Sequence, residues 1–204
     1  MMKIFVHGLG QKATSWNETI SYMEHKEDLL CPDLGLILRG NEGSYANLYA
    51  AFAAYCNEID GQLDICGISL GGILALNYAL DFPSKVNSLV LIGTPYRVPK
   101  AMLWIQTMIF RFLPQSFFVG FSKKELSVLV NSMKNLDFSD RLQMIACRVL
   151  IICGEKDRAN LDAAYYLSAH IKDAELKTVK HTGHVVNEEN PEVLAGLLKE
   201  YYAM

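Results

Sequence analysis

The chain has 204 residues, of which 51% are hydrophobic and 20% are charged. This length and balance fit one well-packed domain over residues 1–204 and exclude an intrinsically disordered chain. The 19 Lys and Arg against 22 Asp and Glu give a net charge of −3. No overall basic field is therefore available to attract a nucleic acid, and small molecules are the expected partners.

Short apolar runs alternate with longer helical patterns along the chain. The apolar runs predict strands over Lys3–His7, Leu29–Asp33, Leu63–Gly67, Ser88–Gly93, Arg148–Gly154 and Glu175–Lys180. The patterns between them predict helices over Trp16–Lys26, Tyr45–Ile59, Leu70–Leu80, Leu161–His170 and Pro191–Tyr202. This alternation is typical of an α/β fold, with a mainly parallel sheet of about six strands and helices on both faces.

One segment, Arg97–Ile145, interrupts this alternation because it carries helical pieces and no convincing strand pattern. It is rich in Phe and has more basic than acidic residues. Two interpretations remain open: helices that pack in the core, or a helical insertion that lines a substrate pocket. Its apolar character would also suit contact with lipid or with a second copy of the chain as a homodimer. The stretch Ala101–Phe121 contains Arg111 and Pro114, so neither half is long enough to be a transmembrane helix.

The cysteines and the first residues indicate where the protein resides. The five cysteines show no C-x-x-C spacing and lie mostly in apolar runs, which is typical of a reducing compartment. The first apolar run stops at His7 and lacks the features of an export signal. The expected location is therefore cytoplasmic. Neither a zinc-binding motif nor a glycine-rich phosphate loop occurs, so we predict no metal and no cofactor.

The strongest local motif is GISLGG, residues 67–72, which lies between an apolar run and a helical pattern. A serine at such a strand-to-helix turn is held in a strained conformation above the sheet. Glycines two residues away on either side let the neighbouring backbone approach closely. The alternative is an ordinary turn rich in Gly and Ser. The placement of the motif favours Ser69 as a catalytic nucleophile.

A base and an acid follow this serine in the order Asp, then His. Asp157 lies in GEKD after an apolar run, and His184 lies in HTGH after the last strand pattern. The carboxyl ends of parallel strands meet at one edge of a sheet, so these side chains are expected near the serine. An imidazole can accept the serine proton, and a carboxylate can orient the imidazole. His181, Glu155 and Asp162 are alternative candidates of lower rank.

Attack on a carbonyl also requires donors for the developing oxyanion. The backbone N–H of Leu70, directly after the serine, can supply one of them. A second can come from Leu9, in the loop HGLG that follows the first predicted strand. The alternative for HGLG is a strand that simply ends in a turn.

Together these motifs make the sequence similar to the α/β-hydrolase family over nearly its whole length. HGLGQKATSW, GISLGG, GEKD and GHVVNEENP occur in the order found in that family. The resemblance implies that Ser69 is the nucleophile, that His184 is base and then acid, and that Asp157 orients His184. It also implies that the N–H groups of Leu9 and Leu70 are the oxyanion donors.

The resemblance further implies a helical cap insertion over residues 97–145 and a serine hydrolase activity. The expected reaction is cleavage of a carboxylic ester or thioester of a small or medium acyl group through an acyl-enzyme. Acyl transfer, lactone opening, amide cleavage and perhydrolysis can use the same triad, and a non-catalytic ligand-binding protein is a third alternative. The sequence departs from the family in two places: the sheet begins at the strand before the oxyanion loop, and residues 33–44 form a longer loop than usual.

Overall fold

The computed structural model describes residues 1–98 and 123–203. Its centre is a sheet of six strands: β1 (Lys3–Val6), β2 (Leu29–Leu30), β3 (Leu63–Ile68), β4 (Val86–Ile92), β5 (Arg148–Gly154) and β6 (Ala174–Val179). The strands are ordered β2-β1-β3-β4-β5-β6, and each neighbouring pair is parallel. The predicted α/β class with a six-stranded parallel sheet is confirmed.

Helices connect these strands. They are α1 (Asn17–Ser21), α2 (Leu34–Ile37), α3 (Tyr45–Asn57), α4 (Leu70–Asp81), α5 (Lys123–Ser132), α6 (Leu161–His170), α7 (Val186–Glu189) and α8 (Pro191–Tyr202). The predictions for α3, α4, α6 and α8 agree with the structure to within two residues at either end. The two four-residue helices, α2 and α7, have no counterpart among the predicted elements, because a single turn is too short to produce a helical pattern.

Both faces of the sheet are covered, and the strands alternate between them. One face packs against α4 and α6, with α3 and α5 in the same core cluster, through Ile4, Val6, Ile65, Leu89, Leu91, Val149 and Ile151. The other packs against α1 and α8 through Phe5, Cys66, Ile68, Val90, Ile92, Leu150 and Ile152. Successive side chains of a strand point to opposite faces, so strands buried on both faces appear as the continuous apolar runs of the sequence.

Two predicted elements are wrong in extent. The helix predicted over Trp16–Lys26 is a 3₁₀ turn followed by α1, which ends at Ser21. His25 has a φ of 53°, a left-handed conformation that a right-handed helix does not accommodate. The strand predicted over Leu29–Asp33 pairs only at its first two residues, because the Asp33 side chain instead accepts hydrogen bonds at the N-terminus of α2.

The described parts of the predicted insertion begin and end beside the sheet. Arg97 and Asp137 form a single antiparallel bridge, and a 3₁₀ helix over Ser139–Met144 leads into β5. Most of the Phe-rich part, including Ala101–Phe121, lies outside the described residues. Among the helices that the structure does describe, none is long and apolar enough to cross a membrane. All five cysteines are free thiols.

The strand order places a switch point between β1 and β3. The chain passes from β1 to β2 on one side and then returns to β3 on the other. The loops that leave the carboxyl ends of two such strands diverge, and the crevice between them is the usual ligand site of an open parallel sheet. HGLG and GISLGG are the segments at these two carboxyl ends.

Candidate active site

Ser69 lies at the sharp turn between β3 and α4. Its backbone has a φ of 54° and a ψ of −116°, a conformation that costs a residue with a side chain about 1–3 kcal/mol. A Cβ on Gly67 would overlap the backbone of Gly71, and a Cβ on Gly71 would overlap the carbonyl oxygen of Val6. Close contact between backbones therefore fixes the turn, and it presents Ser69 above the carboxyl edge of the sheet.

The loop after β1 lies directly against this turn. A Cβ on Gly8 would be 3.4 Å from the Cβ of Ser69. The buried His7 donates from Nδ1 to the carbonyl oxygen of Gly8 at 2.9 Å, and its Nε2 accepts from the backbone N–H of Leu34 at 3.0 Å. These partners fit the neutral imidazole, and burial lowers the pKa of His7 from its usual value. The imidazole thus ties the loop to the start of α2.

Asp157 and His184 lie in the loops that follow β5 and β6. The Nδ1 atom of His184 is 2.7 Å from Oδ2 of Asp157, and 39% of the His184 side chain is exposed against 5% of that of Asp157. A Cβ on Gly93, after β4, would lie 3.0 Å from Nδ1 of His184. A glycine at this position therefore leaves room for the pair.

Asn160 is a polar contact of this pair that the sequence patterns do not predict. Its Nδ2 donates to Oδ1 and Oδ2 of Asp157 at 2.9 and 3.0 Å and lies 3.3 Å from Nδ1 of His184. Asn160 is buried at the residue preceding α6. The amide therefore holds both oxygens of the carboxylate from a position beside the imidazole's hydrogen bond. No motif marks an amide three residues after an acid.

Two other groups surround the pair. Both oxygens of Glu189 accept hydrogen bonds from backbone N–H groups beside His184: Gly183 at 2.7 Å and Val185 at 3.1 Å. Glu189 is the Glu of the E-x-P pattern in the motif GHVVNEENP, and its role is to fix the backbone that carries the imidazole. Burial, with a smaller contribution from the charge of Asp157, raises the pKa of the nearby Cys153 thiol to about 12.

A cavity of about 280 Å³ lies over these residues. Its lining consists of Leu9, Ser69, Leu70, Ile73, Pro95, Val98, Val130, Met133, Asp157, Ala159, Asn160 and His184. All five residues predicted for the site are among them. Val130 lies in α5, and Met133 is the residue that follows this helix. The described part of the predicted insertion therefore both borders the cavity and packs in the core.

The lower-ranked alternatives do not reach this cavity. The side chain of His181 is 85% exposed, and its Nδ1 is 3.8 Å from Oε2 of Glu155. Glu155 accepts from the backbone N–H of His181, and Asp162 is exposed on α6. The longer loop of residues 33–44 contributes no residue to the described lining of the cavity. Within residues 1–98 and 123–203, no three His, Cys, Asp or Glu side chains are grouped as metal ligands.

Comparison with known sequences identifies the family. A family model described as the alpha/beta hydrolase family matches residues 4–197. The chain therefore belongs to the alpha/beta hydrolase family, which confirms the resemblance drawn from the motifs, and hydrolase is the class of protein that the fold and the family define.

Individual relatives are distant. The 3-oxoadipate enol-lactonase 2 of Acinetobacter baylyi is 23% identical over 93% of this chain and 84% of its own length. RutD of Escherichia coli, to which a carbamate hydrolase activity is ascribed, is 23% identical over 96% of this chain and 84% of its own length. MenH from S. aureus superposes with a TM-score of 0.81 at 14% identity, covering 100% of this chain and 93% of its own. These likenesses support the fold over the whole chain.

Proposed function

We propose that the protein is a serine hydrolase that cleaves a carboxylic ester or thioester of a small or medium acyl group. The observation that carries this proposal is the 2.7 Å contact between His184 and Asp157 at the cavity that Ser69 also lines. A serine hydroxyl is a weak nucleophile near neutral pH, and an oriented imidazole overcomes this by accepting its proton during attack.

In the proposed reaction, Oγ of Ser69 attacks the acyl carbon while His184 takes the hydroxyl proton. The resulting oxyanion accepts hydrogen bonds from the N–H groups of Leu9 and Leu70, and Asp157 stabilises the imidazolium. His184 then gives its proton to the leaving alcohol or thiol, and the carbon–oxygen or carbon–sulfur bond breaks. Water, deprotonated by His184, attacks the acyl-enzyme and releases the acid, which restores the Ser69 hydroxyl.

The cavity supports the choice of acyl group. Its volume of about 280 Å³ is just below the range of roughly 300–1,000 Å³ that is usual for small-molecule sites. Apart from the Asp157–His184–Asn160 group and Ser69, its described lining is apolar. Such a pocket favours a short aliphatic or aromatic acyl group over a charged one. We also propose that residues 97–145 act as a cap, because Val98, Val130 and Met133 border the cavity.

A lactone is the second candidate substrate class. It is an internal ester, and the similarity to an enol-lactonase extends over 93% of this chain. The two classes differ in where the leaving oxygen goes: it leaves with the product alcohol of an open ester but stays attached to the acyl-enzyme of a lactone. Direct comparison of a matched ester and lactone separates them.

The test is a series of nitrophenyl esters and thioesters of increasing acyl length, with Ser69→Ala alongside. We expect a maximum at short or medium length and a loss of at least about 10⁴-fold in kcat/KM in the variant. Ser168→Ala is the matched control, because this serine lies on α6, where its hydroxyl donates to the Tyr165 carbonyl. Activity that survives in Ser69→Ala would refute the proposal. Product analysis with added alcohols or peroxide tests acyl transfer and perhydrolysis.

A further inference from the structure

An amide network joins the loop after β1 to the segment after His184. Oε1 of Gln11 accepts from the backbone N–H of Gly8 at 2.9 Å, and its Nε2 donates to Oδ1 of Asn187 at 3.1 Å. Nδ2 of Asn187 donates in turn to the Ser15 carbonyl at 3.2 Å. We call Gln11, Ser15 and Asn187 the amide bridge. It joins two segments that are far apart in the sequence, and Leu9 and His184, which lie next to those segments in the chain, line the cavity.

Asn187, the central residue of the amide bridge, is held firmly by its surroundings. Asn187 lies in α7 and is fully buried. Its backbone carbonyl accepts from the Thr19 hydroxyl at 3.1 Å, so side chain and backbone are both engaged. Gln11 is half-buried and makes a further contact from Nε2 to Oε1 of Glu188 at 2.8 Å. The Gln11 amide therefore has partners on both its oxygen and its nitrogen.

The hydrogen bonds of Gly8 determine how the peptide group between Gly8 and Leu9 is oriented. The carbonyl of Gly8 and the N–H of Leu9 belong to the same planar peptide unit, and in a trans unit they point in opposite directions. The Gly8 carbonyl accepts from Nδ1 of His7 at 2.9 Å and from the backbone N–H of Gln11 at 3.2 Å. With the Gly8 N–H held by the Gln11 side chain, both dihedral angles of this glycine are restrained.

We propose that Gln11 is a positioning residue that presents the N–H of Leu9 to the oxyanion, an inference that rests on the proposed function. Glycine is free to adopt many backbone conformations. Without the Gln11 side chain the N–H of Gly8 would lose its restraint, and the carbonyl contacts alone would hold this peptide unit. An oxyanion donor contributes to the rate only when it is held in place before the reaction. Asn187 ties the same loop to the segment that carries His184, so donor and base keep a fixed separation.

The test compares Gln11→Ala and Gln11→Glu with the wild type. The alanine removes both halves of the contact. The glutamate keeps an oxygen for the Gly8 N–H but cannot donate to Asn187 and is repelled by Glu188. Gln62→Ala is the matched control, since this exposed glutamine donates to the Ser84 carbonyl and does not line the cavity.

We expect Gln11→Ala to lower kcat by about tenfold or more with little change in KM, because oxyanion contacts act in the transition state. An alkyl boronic acid is the second readout. It adds to Oγ of Ser69 as a tetrahedral boronate whose oxygen occupies the oxyanion position, and its affinity should fall by the same factor as kcat/KM. Affinity for the carboxylic acid product should change little. Gln11→Glu should lie between Gln11→Ala and the wild type.

The outcomes separate this inference from the proposed function. A wild type that neither hydrolyses esters nor binds boronic acids would overturn both. An active wild type with Gln11 variants within twofold of it in kcat and boronic acid affinity would overturn this inference alone. The same holds if the variants lower only the thermal midpoint, because that change would assign Gln11 a purely structural role. If Gln11→Ala does not fold, the kcat and boronic acid affinity of Gln11→Glu decide between these outcomes.

Discussion

The two halves of the candidate site are built by different means. Around Ser69 the geometry comes from the backbone: a left-handed φ at the serine and glycines at positions where any Cβ would overlap a neighbouring strand or turn. Around His184 it comes from side chains, with Asp157, Asn160 and Glu189 all hydrogen bonded in place.

This difference has a physical consequence. Backbone constraints cannot relax without moving a strand or helix. Substitutions in the turn around Ser69 should therefore reduce the stability of the whole domain. A side-chain network can lose one member while the fold survives. Substitutions around His184 should therefore reduce activity more than stability. The comparison predicts which variants damage folding and which damage only the chemistry.

The largest expected effect is that of Asp157→Asn on activity. The amide has nearly the shape of the carboxylate, but it cannot stabilise the imidazolium or hold the required tautomer. We expect kcat to fall by about 10⁴-fold, while the circular dichroism spectrum and the thermal midpoint change little. A large loss of stability with residual activity close to that of the wild type would contradict the distinction between the two halves.

The backbone half should respond in the opposite way to Gly71→Ala. The added Cβ would overlap the carbonyl oxygens of Val6 and His7, so α4 and β1 must separate. We expect the free energy of unfolding in urea to fall by about 3 kcal/mol. Gly196→Ala, in the middle of α8 with open space around its Cβ, is the matched control and should gain up to about 1 kcal/mol. Equal stability of the two variants would refute the close-contact account of the turn.

A smaller effect should appear in the pH dependence of stability through His7. Burial lowers its pKa below the usual value of 6.5, so the unfolded chain binds a proton at a pH where the folded chain does not. The contribution of His7 is complete above pH 6.5 and is lost as the pH falls below it. Urea unfolding at a series of pH values should therefore show a steeper decline for the wild type than for His7→Gln. Parallel plots of unfolding free energy against pH for the two proteins would contradict the conclusion that His7 is buried in its neutral form.

Sequence and structure agree most closely where the determinant is local. GISLGG predicts the strand-to-helix turn because only glycines permit the close approaches on either side of Ser69. The continuous apolar runs predict β3, β4 and β5 because both faces of these central strands are buried. Asp157 and His184 could be placed near each other because both follow parallel strands.

Contacts that no sequence motif marks could not be predicted in the same way. Asn160 acts through side-chain contacts, and Gln11 contacts both the Gly8 backbone and the Asn187 side chain, but nothing in the residues next to them marks those contacts. The short edge strand β2 arises from competition between local hydrogen bonds and regular structure, and the predicted first helix is interrupted by the left-handed backbone of His25. Asp33 is an example, since its side chain caps α2 rather than extending the strand.

The central claim is that Ser69 forms an acyl-enzyme, and trapping that intermediate tests it most directly. A nitrophenyl ester of the preferred acyl length is mixed with the protein, quenched in acid within milliseconds to seconds, and the protein is digested for mass spectrometry. We expect the mass of one acyl group on the peptide that contains Ser69, and no adduct in Ser69→Ala. Consumption of the ester without an adduct on that peptide, or an adduct on another residue, would contradict the account.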